Sequence, residues 1–283
     1  MALTYLQLYE DRSFPDFFEH SVTEDHRYRR ADLKCRPGSR SNAADWLAVH
    51  LAKLRFGGSD HLFQSWLQRT EGGPAHDDET HDALVAYIAS ESIGTPERPA
   101  PSAHLEGFLA EHIWYVVVTS LEFALGAPFR ATTPSWSVTD PGGDGLAIYE
   151  PTNNRFSFRL WESKRHSGGQ SVRSTVNGAC RQIRDHAPSY LARYSKIGQR
   201  HPDNPAFASF CGRLVELWLR SDRAAGGGVS VCISDGTNAI GCFDRLSNYW
   251  SFSEADQHEG LLVTIEDYTA FSQTVREILW KGL

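Results

Sequence analysis

The segment Arg159-Leu-Trp-Glu-Ser-Lys-Arg165 carries an acid and a lysine two residues apart, at the end of an alternating apolar run. In a strand, successive side chains alternate faces, so Glu162 and Lys164 point the same way, with Phe156, Phe158 and Leu160 deeper along that face. Upstream, Pro141-Gly-Gly-Asp-Gly places Asp144 where a glycine-rich turn enters a neighbouring strand. A hairpin through residues 151–154 would bring Asp144 beside Glu162. Two carboxylates converging at a strand edge make a hard, oxygen-rich site that suits Mg²⁺ or Mn²⁺. Such an ion polarises a phosphate oxygen and acidifies a bound water. A lysine beside it orients that water and balances charge, and desolvation near other cations is expected to lower its pKa. The competing reading is structural: Glu162 in a strand-end salt bridge and Asp144 as an ordinary turn residue.

The elements around these residues have a recognisable order. Ser102 is the expected N-cap of a helix with Leu105, Phe108, Leu109, Ile113 and Val116 on its apolar stripe. A strand is expected within residues 129–138, a short one over 146–149, and a strongly alternating one over 156–163. Ser167-Gly-Gly169 breaks the last of these. Val172, Val176, Ala179 and Ile183 then mark a long helix, and a further helix covers about residues 206–220. Strands over 229–234 and 261–265 and a helix over 269–280 close the chain. Helix, three strands, helix, strand predicts an α/β fold with a mixed sheet flanked by helices. Three Pro in Gly94–Ser102 read as a linker or long loop. Residues 1–100 are therefore expected to be a largely helical accessory region, with short strands allowed in the first forty, and residues 101–283 the domain carrying the acid pair.

Asp144 followed by Glu162-Ser163-Lys164, between an acid-bearing helix and a long helix, resembles the PD-(D/E)xK, or restriction-endonuclease-like, nuclease superfamily over about residues 103–235. The resemblance implies an αβββαβ core and Mg²⁺-dependent hydrolysis of DNA phosphodiester bonds. It implies Asp144, Glu162 and the Ser163 carbonyl as metal ligands and Lys164 as the residue serving the water. A helical glutamate often joins the site; Glu111 and Glu106 both qualify, and Glu111 is favoured because it shares a face with His104 and Phe108. Gln182, on the following helix, is a candidate accessory residue. Pro141 stands three residues before Asp144 instead of adjacent to it. More narrowly, Gly143-Asp-Gly-Leu, Leu160-Trp-Glu-Ser-Lys and Ser171-Val-Arg look like the nuclease subunit of Hachiman-type anti-phage defence systems. That likeness implies a helicase or ATPase partner that delivers DNA.

Acid-x-Lys alone is a weak signal: the chain has a second such triplet, Asp32-Leu-Lys34, which lies in a polar stretch and is expected to be surface. The net charge of −7 argues against coating nucleic acid by charge alone. Residues 155–200, however, hold ten Lys or Arg against two acids, Glu162 and Asp185. That basic stripe makes Arg165, Arg173, Arg181 and Arg184 candidate DNA contacts. A hydrophobic share of 41% with eight Trp describes a globular chain. No apolar run approaches the roughly 20 residues of a membrane span, and no secretory signal is apparent, so a cytoplasmic protein is expected. Five Cys without a CxxC pair read as buried thiols and exclude a zinc ribbon. Two other classes compete with a nuclease: a nuclease-like subunit that binds nucleic acid or a partner without cutting, and an α+β interaction protein in which the triplet is accidental.

Overall fold

The structure, a computed structural model, describes residues 4–121, 126–136, 143–150, 155–201 and 203–283. Its elements are α1 (Tyr5–Asp11), β1 (Phe18–Glu24), β2 (Arg29–Cys35), α2 (Arg40–Phe56), α3 (Asp60–Thr70), α4 (Asp78–Ile88), α5 (Ser102–Ser120), β3 (Arg130–Ala131) and β4 (Gly145–Tyr149). After these come β5 (Ser157–Arg165), α6 (Val172–Tyr194), α7 (Pro205–Gly212), α8 (Leu214–Leu219), β6 (Gly227–Ser234), β7 (His258–Ile265) and α9 (Tyr268–Lys281).

Among the described residues the strands form one mixed sheet in the order β1-β2-β7-β6-β5-β4-β3. β4 runs antiparallel to β5, with Gly145 opposite Trp161, whereas β5, β6, β7 and β2 are mutually parallel. The turns expected over 140–143 and 151–154, with Pro141, include positions outside the described residues. Helices cover both faces. Trp161, Cys232, Leu261 and Val263 point to a core shared with α2, α5 and α9. Phe158, Leu160, Val229 and Leu262 point to a core shared with α6, α7 and α8. Burial on both faces is why β6 and β7 read as continuous apolar runs and not as alternating ones.

The division at residue 100 is a loop and not a break in the fold. β2 pairs with β7, so the N-terminal region supplies two strands to the sheet that carries Glu162. Its helices share the α5 and α9 core, and Trp66 of α3 donates a hydrogen bond to the Leu279 carbonyl of α9. Two local expectations are corrected. Pro101, not Ser102, is the N-cap of α5, and it provides no side-chain cap. The helix expected over 206–220 is two short ones meeting at Arg213, which is C-cap of α7 and N-cap of α8. All five cysteines are buried and free. Among the described residues no helix is long and apolar enough to cross a membrane.

The α5 face of the sheet is packed around tryptophan. Trp161 of β5 lies against Trp114 of α5, with ring centroids 5.9 Å apart. Glycines make the room: a Cβ on Gly145 would run into the Trp114 ring, and one on Gly228 into the Trp161 ring. Neither ring is at the end of a flexible chain. Gly145→Ala should therefore destabilise the fold by about 1–3 kcal/mol through overpacking. Urea denaturation reads this as a lowered midpoint, and an unchanged midpoint would refute the packing account.

Candidate active site

The β4–β5 pairing stops at Gly145 and Trp161, and among the described residues no strand pairs with β5 beyond that point on β4's side. The hydrogen bonds from the Phe158, Leu160 and His166 amides go to residues on the β6 side. By alternation the Ser163 N–H and C=O therefore project toward the β4 side, past the point where β4 ends. Asp144, one residue before β4, fills that gap: its Oδ2 accepts a hydrogen bond from the Ser163 amide at 2.6 Å. This brings the Asp144 carboxylate to Glu162 and leaves the Ser163 carbonyl on the same edge.

Glu162 and Lys164 lie on the α6 face, as their spacing predicts, and Lys164 Nζ donates to Glu162 Oε1 at 2.5 Å. Glu162 is fully buried, and among the described residues its Oε2 has no hydrogen-bond partner. When both are ionised, two facing carboxylates are acceptors only, so neither satisfies the other. Burial, then the charge of Asp144, pushes the Glu162 carboxyl well above its usual range. Burial raises Asp144 as well, against the pull of Lys164 and the Ser163 amide.

Lys164 departs from expectation. Burial alone would depress its pKa, but Glu162 and Asp144 more than offset this and raise it. Its close neighbours are acids, not the cations the sequence suggested, and it stays an ammonium. With its side chain 35% exposed, Lys164 remains reachable by water.

Of the two helical acids, Glu111 faces the cluster. Burial, then the charges of Asp144 and Glu162, pushes its carboxyl up to about 9. It also lines a cavity of about 140 Å³ with His104 and Phe108, the face the sequence singled out. Glu106, five residues earlier, points elsewhere, since five helical residues rotate the direction by about 140°. It binds Arg165 at 2.6 Å and Thr269 at 3.1 Å. Gln182 hydrogen-bonds Tyr190, whose hydroxyl senses Glu162, Asp144 and Lys164.

Two residues were missed. Tyr194 donates a hydrogen bond to the Gly143 carbonyl at 2.7 Å, and a Cβ on Gly143 would press on the Tyr190 ring. These tyrosines hold the backbone just before Asp144. The signal was available: Gln182, His186, Tyr190 and Tyr194 recur every four residues, which makes one stripe of α6.

The candidate DNA-contacting arginines divide. Arg165 is drawn into its pair with Glu106, and Arg173 binds the Gly241 carbonyl and Asp244. Arg181 and Arg184 are exposed, the latter beside Asp185 at 2.8 Å. The second acid-x-Lys triplet lies on strand β2, with Asp32 part-exposed and Lys34 exposed, in keeping with its reading as surface. They bind Arg30 and Asp235 respectively, with no second carboxylate at Asp32 among the described contacts.

Among the described residues no three His, Cys, Asp or Glu side chains are placed to hold a metal ion together. The donors at this edge are the two carboxylates, with the Ser163 carbonyl directed to the same side by strand alternation. That set fits Mg²⁺, which typically takes one or two protein carboxylates and fills its octahedron with water and phosphate oxygens. The unpartnered Glu162 Oε2 and the mutual repulsion of the acids are the features a divalent cation would relieve. No family model matches the chain, and no curated protein matches it in sequence.

The crowding has a pH signature. Glu111 rises from an ordinary 4.5 to about 9 in the folded state. A raised folded pKa means that folding holds a proton the unfolded chain releases. Its contribution to stability is complete below pH about 4.5 and is lost as pH rises through about 9. With a chelator present, denaturation midpoints should fall across that window, and Glu111→Gln should flatten the fall. An equal slope in the variant would remove Glu111 from the cluster.

Proposed function

We propose that this protein is a divalent-metal-dependent hydrolase of DNA phosphodiester bonds, with a restriction-endonuclease-like core. One observation carries the reading: Asp144, Glu162 and Lys164 converge at one strand edge, with a buried carboxylate oxygen unpartnered there. The order α5, β3, β4, β5, α6, β6, with the short helices α7 and α8 inserted before β6, supports the αβββαβ core that the resemblance implies.

In this reading Asp144, Glu162 and the Ser163 carbonyl bind Mg²⁺ or Mn²⁺. When bound, the ion supplies Lewis acidity toward the phosphate and acidifies a water. The chain's own residues do the rest. Lys164, held protonated by its acidic neighbours, donates hydrogen bonds that orient the attacking water and offset charge on the phosphorane-like transition state. Glu111 adds a third carboxylate from the α5 side. Tyr190 and Tyr194 fix the loop that carries Asp144, so the carboxylate is positioned before substrate arrives. Arg181 and Arg184 lie on the exposed side of α6, where they can meet the backbone phosphates. Hydrolysis is direct, with no covalent enzyme intermediate.

A chain of net charge −7 with a local basic stripe suits DNA delivered by a partner better than DNA captured unaided. A helicase or ATPase subunit in a bacterial anti-phage or restriction role, acting in the cytoplasm, completes the proposal.

Supercoiled plasmid tests it. Cleavage should require Mg²⁺ or Mn²⁺ and stop with chelator. Lys164→Ala and Asp144→Asn should each lower the rate by about 100-fold or more while circular dichroism stays unchanged. Cleavage that survives in folded Lys164→Ala sinks the assignment. Mg²⁺-independent DNA binding without cleavage by the wild type, partner included, would favour a non-cutting subunit instead.

A further inference from the structure

A second cavity lies at the other side of the same strand end. It encloses about 340 Å³ where β5 and β6 finish and α9 begins, and its wall includes Arg165, Glu106, His166, Ser167, Thr237 and Thr269. Carboxyl ends of parallel strands are where open α/β sheets commonly receive ligands.

The donors in this cavity are unevenly used. Glu106 is satisfied: Oε2 accepts from Arg165 and Oε1 from Thr269. Arg165 is not. A guanidinium carries five N–H donors, and among the described residues only Glu106 accepts from it. Its side chain is 27% exposed, so the remaining donors can be reached. Around it are the hydroxyls of Ser167 and Thr237, which can donate as well as accept, and that of Thr269, whose hydrogen goes to Glu106. The lining also includes Gly168, which adopts a left-handed φ of 77° and whose Cβ position faces open space. A planar fork of spare N–H donors ringed by hydroxyls matches the oxygens of a phosphate group.

Arg165 and Lys164 are chain neighbours whose side chains leave β5 on opposite faces. A phosphate held by Arg165 would therefore lie a short, fixed step from the acid pair.

We propose that this cavity seats the phosphorylated end of a nucleic-acid strand, with Arg165 as the anchoring cation and the hydroxyls of Ser167 and Thr237 completing the cradle. The choice of a strand end rests on the nuclease reading; the phosphate chemistry does not. The volume admits a terminal nucleotide and is at the small end of ligand pockets. Glu106 then has a second role. It holds Arg165 in place while its negative charge weakens anion binding.

The test is a binding titration of the full chain, in chelator so that no cleavage occurs. The probes are a fluorescent single-stranded oligonucleotide with a 5′-phosphate, its 5′-hydroxyl and 3′-phosphate counterparts, and a nucleoside monophosphate. One phosphorylated end should bind about tenfold more tightly than the hydroxyl end. Arg165→Gln should abolish that preference. Glu106→Gln keeps the hydrogen bonds and removes the charge, so it should strengthen the preference, an effect that a purely structural ion pair would not produce. Equal affinity for all ends, or a preference unchanged in Glu106→Gln, overturns the proposal. A nucleoside monophosphate that binds as tightly as the strand also overturns it and assigns the cavity to free nucleotides. Plasmid cleavage without end preference would leave the nuclease reading standing and remove this site; end preference without cleavage would do the reverse.

Discussion

The hydrogen bond from the Ser163 amide to Asp144 determines the geometry of the whole site. It exists because the β4–β5 pairing stops at Gly145 and Trp161, two positions short of Ser163, so a side-chain carboxylate takes the place of a strand partner. That substitution sets Asp144 against Glu162 and crowds two like charges in a poorly solvated place. At low effective dielectric such repulsion is costly, and both carboxyls respond by holding their protons more tightly. Lys164 offsets part of the charge, and the same crowding holds the proton on Glu111 up to about 9. The result is an electrostatic deficit that a cation would fill. In the proposed function, this electrostatic crowding at one strand end is what metal binding would relieve.

The rest of the molecule keeps that arrangement in register. Trp114 and Trp161 fill the α5 face so tightly that Gly145 and Gly228 must lack side chains. On the opposite face, α6 packs its apolar stripe on Phe158 and Leu160 and places Tyr190 and Tyr194 over Gly143. Asp144 is therefore flanked by two glycines whose neighbours are held by aromatic rings on opposite faces. The N-terminal strands extend the sheet from its far edge and share its core, so the region before the proline-rich loop supports the site from a distance instead of forming a separate module.

Charge is distributed by position more than by composition. Residues 155–200 are strongly basic, yet the fold uses the arginines differently. Arg165 and Arg173 are paired with acids from distant segments, whereas Arg181 and Arg184 stay at the surface without such partners among the described contacts. A basic stripe in sequence is thus partly internal electrostatics and partly an outward-facing surface, and only the latter is available to a polyanion.

Several features were legible in the residues themselves, because they depend on local periodicity. Alternation along 156–163 placed Glu162 and Lys164 on one face and turned Trp161 away, and helical spacing located α5 and α6. Rotation about α5 also separated Glu106 from Glu111, though not which of them met the acids. What depended on contacts between distant segments was not legible. The sign of the Lys164 shift depends on which charges surround it. The pairing of Arg165 with Glu106 joins residues 59 positions apart, and that of β2 with β7 spans most of the chain. Periodicity reports the direction of a side chain from its own backbone; only the folded chain determines what stands opposite.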